Sequence, residues 1–145
     1  MEIKYKTLRS SATPPLRATE GSAGADLCAA VDGPVTIRPH TAEQIPTGLA
    51  IELPSCEYAA FVFARSGLSR KHGVAPVNGV GVIDSDYRGE IIVALVNQFD
   101  EPYTIMPGER VAQLVVMPVI SAEFRLTDEL SDTARGAGGF GSTGK

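Results

Sequence analysis

The chain has 145 residues and a formal net charge of −4, and this length is typical of a single domain. Hydrophobic residues make up 43% and charged residues 21%, which are ordinary values for a folded globular protein and argue against extensive disorder. Because proteins that grip nucleic acid by its phosphates usually carry a basic surplus, we expect no nucleic-acid partner, and any polyanion must be small and held by local cations.

Short β-rich runs separated by turn residues follow one another along the chain. Fifteen glycines and ten prolines interrupt the sequence, and no stretch keeps a 3.6-residue apolar period over three turns. Many short strands with turn signals between them indicate a sandwich, jelly roll or barrel. We therefore predict an all-β fold with one short helix, a turn or two after Ser66. The predicted strands are 35–37, 49–53, 58–63, 79–83, 91–96 and 111–120.

Two motifs in the first half of the chain carry charged groups. Residues 23–27 form an apolar segment interrupted by Asp26, and the pattern fits a turn former and a site carboxylate equally well. Arg65, Ser66 and Gly67 follow the predicted strand 58–63. An arginine fork and free backbone amides suit an anion, whereas an ordinary helix start with Ser66 as its cap is the alternative.

A polar turn joins the predicted strands 79–83 and 91–96. Asp84 stands directly at the end of the first of these strands, which is a rigid platform for a catalytic carboxylate. The run also resembles the opening of an EF-hand loop, but Arg88 and Leu95 occupy the fifth and twelfth loop positions. Because a bidentate Glu is required at the twelfth position, we reject a calcium site.

A second turn, at residues 107–110, places Pro and Gly in turn positions. Gln113 lies just inside the strand that follows, and a plain exposed strand residue is the alternative interpretation of it. Residues 131–145 differ in kind, because five of the last ten residues are glycine. Such a segment cannot offset its ordering entropy by apolar burial, so we expect it to be mobile when free.

The glycine-rich segment can be an ordinary frayed tail. It nevertheless contains groups that bind phosphate or stack on a base, namely Arg135, Phe140, Ser142 and Thr143. Its last residues fit the spacing G-x-x-x-x-G-K, but a P-loop needs a Ser or Thr and then a helix after the lysine. Neither follows Lys145 in this sequence, so we do not expect a P-loop.

The cysteines, histidines and apolar runs bear on metal class and compartment. Cys28 and Cys56 do not form a CxxC pair, and there are two histidines, so a zinc site is not expected. We predict that both thiols are reduced. No run approaches the roughly 20 apolar residues of a membrane span, and the first residues lack the apolar stretch of a signal peptide. We therefore expect a cytoplasmic protein without a membrane partner.

Taken in order, five of these segments resemble the five motifs of the trimeric dUTP pyrophosphatase (dUTPase) family. The resemblance spans about residues 20 to 144 without a large insertion, and its third and fifth motifs are the most specific. Departures are small, since Ser69 stands where the family often has Ala or Gly and Ala137 fills a variable position. The five segments are AGADL at 23–27, RSGL at 65–68, GVIDSDYRGE at 81–90, PGERVAQL at 107–114 and RGAGGFGSTG at 135–144.

The resemblance implies a dUTPase-like fold, a β-clip or distorted jelly roll, over residues 1–130. It implies that residues 131–145 are a flexible C-terminal arm that closes over the active site. It also implies a homotrimer with shared active sites, in which one subunit supplies the phosphate loop and another supplies the arm.

The resemblance assigns a role to each matching position. Asp84 orients and deprotonates the attacking water, Asn78 reads the uracil edge, and Tyr87 packs under the deoxyribose and leaves no room for a 2′-hydroxyl. The family's uracil site also uses the backbone near Val82, Ile83 and Ile92. Asp26 supports a Mg²⁺ ion through water. The phosphates are bound by Arg65, Ser66, Gly67 and Gln113, and the arm contributes Arg135, Phe140, Ser142 and Thr143.

The reaction implied is hydrolysis of dUTP to dUMP and pyrophosphate, by Mg²⁺-assisted attack of water on the α-phosphorus. Such an enzyme keeps uracil out of DNA and supplies dUMP for thymidylate synthesis. Two alternatives stay open from the sequence: a dCTP deaminase, which shares this fold family, and a trimeric β-protein that binds nucleotides without turnover. The glycine-rich arm and the run at 83–87 favour the pyrophosphatase over the deaminase.

Overall fold

Eleven β-strands and one seven-residue helix make up the regular structure of residues 1–139, the part of the chain that the computed structural model describes. In chain order they are β1 (Lys4–Thr7), β2 (Ala25–Cys28), β3 (Val35–Ile37), β4 (Ala42–Pro46), β5 (Leu49–Glu52), β6 (Tyr58–Phe63), α1 (Ser66–His72), β7 (Val74–Pro76), β8 (Gly81–Ile83), β9 (Ile92–Asn97), β10 (Tyr103–Ile105) and β11 (Arg110–Pro118).

The strands pair antiparallel in small sheets. A four-stranded sheet has the order β2-β11-β6-β8, a three-stranded sheet has the order β4-β9-β7, and β1 pairs with β5 and β10 with β3. Strand β11 has nine residues and pairs with β2 on one side and β6 on the other, so that Gln113 stands opposite both Asp26 and Phe63. This register places residues from distant parts of the sequence in one row.

Apolar side chains from all of the larger sheets meet in one core. Along β9 exposed or half-buried residues alternate with buried ones, as expected where one face of a strand packs inward. Each fully buried Leu or Ile contributes roughly 1.5–3 kcal/mol by leaving water. The largest of them, with no exposed surface, are Leu27, Ile37, Ile45, Leu49, Leu95 and Ile105.

The predicted all-β architecture with one short helix is confirmed. Strands β3 and β6 have the predicted bounds, four other predicted strands agree within two residues at each end, and the helix begins at Ser66 as expected. Five strands were not predicted: β1, β2, β4, β7 and β10. They have three to five residues, too few for alternation to be visible, and their pairing partners are distant in sequence.

The helix α1 begins and ends at identifiable residues. Arg65 occupies the N-cap position with extended backbone and no side-chain cap, so Ser66 is the first helical residue and not the cap. The helix stops at Gly73, whose φ of 66° is left-handed and whose N–H donates to the Ser69 carbonyl. A side chain at 73 would also collide with the Phe99 ring. No helix in residues 1–139 is long and apolar enough to cross a membrane.

Glu90 ties the N-terminal segment to the turn between β4 and β5. Its carboxylate accepts two hydrogen bonds from the Arg9 guanidinium, at 2.7 and 3.1 Å, and one from the Gly48 amide at 2.8 Å. The hydrogen bond from Arg9 lowers the pKa of Glu90, and the Gly48 amide adds to this effect, while burial opposes it. The ionised form of Glu90 is therefore the form that the fold prefers.

We predict that Glu90→Gln lowers the free energy of unfolding at pH 7. Because the folded state depresses this pKa, the stabilisation is present above the ordinary value of 4.5 and is lost as the pH falls through the lower folded value. Urea denaturation at pH 7 and between pH 4.5 and 3 measures the difference in free energy of unfolding between wild type and variant. This difference should become smaller as the pH falls.

The matched control is Glu52→Gln, which removes a carboxylate paired at 3.2 Å with Lys4 on the surface. Exposed pairs contribute little, so this variant should unfold almost as wild type at every pH. If the difference in free energy of unfolding between wild type and Glu90→Gln stayed constant from pH 7 to pH 3, the charge of Glu90 would not contribute to stability.

Candidate active site

Two clefts flank the four-stranded sheet, one at each edge strand. The first, here called the β8 cleft, has a volume of about 250 Å³ and the second, the β2 cleft, about 280 Å³. The predicted site residues within residues 1–139 divide between them, apart from Arg135. The β8 cleft is lined by Asn78, Val82, Ile83, Asp84, Tyr87 and Ile92, and the β2 cleft by Asp26, Arg65, Ser66, Gly67 and Gln113.

The floor of the β8 cleft is formed by β8 and the start of β9. Gly81 pairs with Val62 on β6, and a Cβ at 81 would lie 3.2 Å from the Val62 side chain and 3.6 Å from the Asn78 amide nitrogen. Glycine at this position therefore keeps the space beside the Asn78 amide open. Val82 and Ile92 are 62% and 49% exposed, so the cleft offers apolar surface beside its polar groups.

Asp84 follows β8 directly and is exposed. Its carbonyl accepts a hydrogen bond from the Tyr87 amide at 3.2 Å, which closes the turn and fixes the backbone. Its carboxylate makes no hydrogen bond or ion pair with any part of the chain that the structure describes. A rigidly placed carboxylate with free acceptor oxygens can take a proton from a bound water.

Tyr87 is 45% exposed, yet its ring has a defined place. The hydroxyl donates to the Glu90 carbonyl at 2.9 Å, and the ring edge fills the volume that a side chain at Gly89 would occupy. Gly89 does not have a left-handed φ, so the tyrosine ring, and not the backbone conformation, requires glycine there. The ring is thus held as a wall of the β8 cleft.

A two-arginine cluster around one carboxylate forms the β2 cleft. Asp26 accepts a hydrogen bond from Arg65 Nε at 3.0 Å on one oxygen and from Arg110 Nη1 at 3.1 Å on the other. Arg65 also donates through Nη1 to the Arg110 carbonyl at 3.1 Å. The side chains of Asp26 and Arg65 are only 18% and 26% exposed, so these two charges are largely shielded from water, whereas Arg110 is 54% exposed.

Gln113 is fixed beside this cluster. Its Nε2 donates to the Ala64 carbonyl at 2.9 Å, and a Cβ at Gly24 would come within 3.1 Å of its Oε1. Two further charged residues line the clefts without having been predicted as site residues, Arg110 and Glu90. Both belong to the motifs that the sequence singled out, but only contacts across the sheets show what they bind.

The structure contains no preformed metal cage in residues 1–139, where no three His, Cys, Asp or Glu side chains cluster. Asp26 stands alone as the acidic residue of the β2 cleft, and both its oxygens bind arginine. Arg135 lies in neither cleft, and its Nε donates to the nearby Gly138 carbonyl at 2.9 Å. The predicted arm residues Phe140, Ser142 and Thr143 lie outside the described residues.

Comparison with known proteins gives a consistent result. The family model described as dUTPase matches residues 10–144. The chain is 55% identical over 146 residues to the deoxyuridine 5′-triphosphate nucleotidohydrolase of Desulfitobacterium hafniense, covering 99% of this chain and 97% of that protein. It is 47% identical over 145 residues to the protein of the same name from Ralstonia pickettii, covering 100% and 98% of the two chains.

A solved structure agrees with these sequence matches. The dUTPase of Staphylococcus bacteriophage 80alpha, determined with dUPNHPP, superposes with a TM-score of 0.90 at 28% sequence identity and covers 99% of both chains. The dUTPase-like fold expected from the five motifs is therefore confirmed. Matches of this length and identity show that the chain belongs to the dUTPase family.

Proposed function

We propose that this chain hydrolyses dUTP to dUMP and pyrophosphate. The observation that carries the proposal is the free Asp84 carboxylate, held at the end of β8 in a cleft with the Asn78 amide and the Tyr87 ring. Family membership supports it, as does the full-length similarity to proteins named deoxyuridine 5′-triphosphate nucleotidohydrolase. Such an activity would keep uracil out of DNA and supply dUMP for thymidylate synthesis.

In this proposal Asp84 orients a water and accepts its proton as the oxygen attacks the α-phosphorus. The turn from Asp84 to Tyr87 fixes the carboxylate relative to the cleft, so little reorganisation is needed when the substrate binds. Phosphoryl transfer depends mainly on positioning and charge stabilisation. General-base assistance of this kind contributes roughly 10²–10⁴-fold to the rate.

The β8 cleft is proposed to hold the nucleoside. The Asn78 amide offers both a donor and an acceptor to the uracil edge, and backbone groups near Val82, Ile83 and Ile92 complete the recognition. The Tyr87 ring packs under the sugar and excludes a 2′-hydroxyl. A cytosine would leave buried polar groups mispaired, which is costly.

The β2 cleft is proposed to hold the triphosphate through Arg65, Ser66, Gly67 and Gln113. Bound Mg²⁺ would neutralise phosphate charge and fix the chain of phosphates for in-line attack. A single carboxylate in this cleft suits that ion, since Mg²⁺ keeps several waters and is bound largely through substrate phosphates. Asp26 is proposed to support it through water.

The two clefts lie at opposite edge strands of one sheet, and this supports a homotrimer in which neighbouring subunits combine them. Beyond β11 the segment 119–130 carries apolar side chains that the single chain leaves uncovered: Ile120, Phe124, Leu126 and Leu130 are 87–98% exposed. Such residues normally contact a partner surface. We further propose that residues 1–130 form the domain and that residues 131–145 close over the occupied site, using Arg135, Phe140, Ser142 and Thr143.

The proposal predicts product formation from one nucleotide. The purified protein is incubated with dUTP, dCTP, dTTP or UTP, either with Mg²⁺ or with a chelator, and the products are identified by chromatography. We expect dUMP and pyrophosphate from dUTP only, and only when Mg²⁺ is present. Deoxyuridine nucleotides formed from dCTP would instead indicate a deaminase. If a folded trimer formed no product from any of the four nucleotides, a binding protein without turnover would be the better account.

Asp84→Asn should lower kcat for dUTP by about 10²–10⁴-fold, because the amide cannot accept the proton of the attacking water. KM should change little, since the shape of the cleft is kept. Steady-state kinetics on purified variant and wild type measure both constants. Asp86→Asn, which removes a nearby exposed carboxylate, serves as the comparison, and a kcat for Asp84→Asn close to wild type would contradict the assigned role.

Tyr87→Ala should reduce the preference for dUTP over UTP, expressed as the ratio of kcat/KM values, by about tenfold or more, because the wall against the 2′-hydroxyl is removed. Tyr87→Phe is the matched control: it loses the hydrogen bond to the Glu90 carbonyl but keeps the ring. The phenylalanine variant should retain most of the preference. Equal ratios in wild type and Tyr87→Ala would show that the ring does not select the sugar.

A further inference from the structure

Both oxygens of the Asp26 carboxylate accept hydrogen bonds from within the protein. Each oxygen accepts one guanidinium hydrogen bond, from Arg65 at 3.0 Å and from Arg110 at 3.1 Å. The three side chains come from β2, from the second residue after the end of β6 and from the start of β11. A carboxylate that binds two arginines of a phosphate cleft has a structural task that requires no metal ion.

This arrangement fixes how Arg65 presents its remaining donors. Nε is bound to Asp26 and Nη1 to the Arg110 carbonyl, so the plane of the guanidinium is set by two anchors on different strands. Among residues 1–139, Nη2 of Arg65 has no hydrogen-bond partner. The free donors therefore remain available in the cleft that Ser66, Gly67 and Gln113 also line.

The carbonyl that anchors Arg65 is itself held in place. Just before Arg110, the Glu109 carboxylate accepts hydrogen bonds from the Met106 amide at 2.9 Å and from the Tyr103 hydroxyl. The Glu109 carbonyl accepts from the Ala29 amide at 2.8 Å. Burial, followed by the bond to Glu109, raises the pKa of Tyr103 to about 12, so the phenol stays a neutral donor at physiological pH.

We propose that Asp26 is a positioning residue that presets Arg65 and Arg110 for the phosphate chain, and that it does so without Mg²⁺. The inference rests on the proposed function, because the anion it concerns is the triphosphate of dUTP. It adds a metal-independent role to the water-mediated support of the ion. Arginine side chains that are ordered before the substrate arrives lose less rotamer freedom on binding.

Removal of Asp26 has two opposing effects on anion binding. The arginines lose their fixed orientation, which weakens binding, but a negative charge also leaves the cleft, which favours an anion. The second effect is Coulombic and is screened as ionic strength rises, with a Debye length of about 8 Å at 0.15 M and about 3 Å at 1 M salt. Measurement at high salt, and a variant that keeps the charge, separate the two.

The experiment titrates full-length protein with inorganic pyrophosphate and, separately, with deoxyuridine, in EDTA and about 0.5 M salt. Asp26→Asn keeps the shape and removes the charge, whereas Asp26→Glu keeps the charge and displaces the carboxylate by one methylene. Both variants should bind pyrophosphate about tenfold more weakly than wild type, as one or two side chains must now be ordered on binding. Both should bind deoxyuridine as wild type does, because the β8 cleft is unchanged.

Asp100→Asn is the control for loss of one negative charge. Asp100 pairs with His40 at 2.9 Å on the surface and lines neither cleft, so its removal should alter neither affinity. Two Asp26 variants are used because either one alone tests the orientation of the arginines. If one of them does not fold, the other still gives the result.

The proposal would be overturned if both Asp26 variants bound pyrophosphate as wild type does in EDTA and bound it more weakly only when Mg²⁺ is present. Asp26 would then act only as a support for the ion. Equal weakening of pyrophosphate and deoxyuridine binding would also overturn it, since that is the result of general structural damage. Hydrolysis of dUTP by the wild type is measured separately. If the wild type hydrolyses dUTP but the Asp26 variants give either of these two contradicting results, the proposed function stands and the positioning role of Asp26 does not.

Discussion

The pairing of β11 on both its edges is the constraint on which the rest of the site depends. This nine-residue strand joins β2 to β6, and β6 in turn carries β8. One row of the ladder brings Gln113 beside Asp26, and the residues just beyond β6 then meet the start of β11. A register shift of one residue would turn every side chain to the other face of the sheet. The backbone pairing therefore determines which side chains line each cleft.

The proposed substrate is a triphosphate and itself strongly anionic, so an acidic protein that binds it must concentrate its cations locally. The net charge is −4, yet the β2 cleft holds two arginines around one aspartate. Guanidinium groups suit this task because they present several donors in a fixed plane. Partial burial also makes the charge interactions stronger than on an open surface. Affinity for phosphate can therefore arise from a few placed groups and does not require a basic surface.

The sequence was sufficient where local chemistry decides the structure, and insufficient where distant residues do. Runs rich in β-branched or aromatic residues identified β3 and β6, and the motif order identified the family. Strands such as β4, with the sequence AEQIP, have too little pattern of their own and exist because β9 pairs with them. The interpretation of Asp26 stayed open for the same reason: its partners lie 39 and 84 residues away. Arg110 was overlooked because nothing next to it in the chain shows that it meets Asp26.

The packing of Tyr87 against Gly89 restricts which residues evolution can accept at position 89. Gly89 has an ordinary backbone conformation, so alanine would be acceptable to the main chain, but its methyl group would take the place of the tyrosine ring edge. Under the role proposed for Tyr87, selection at this position therefore acts on which sugar is accepted. A lineage freed from the need to reject ribonucleotides would be expected to lose this glycine while keeping its fold.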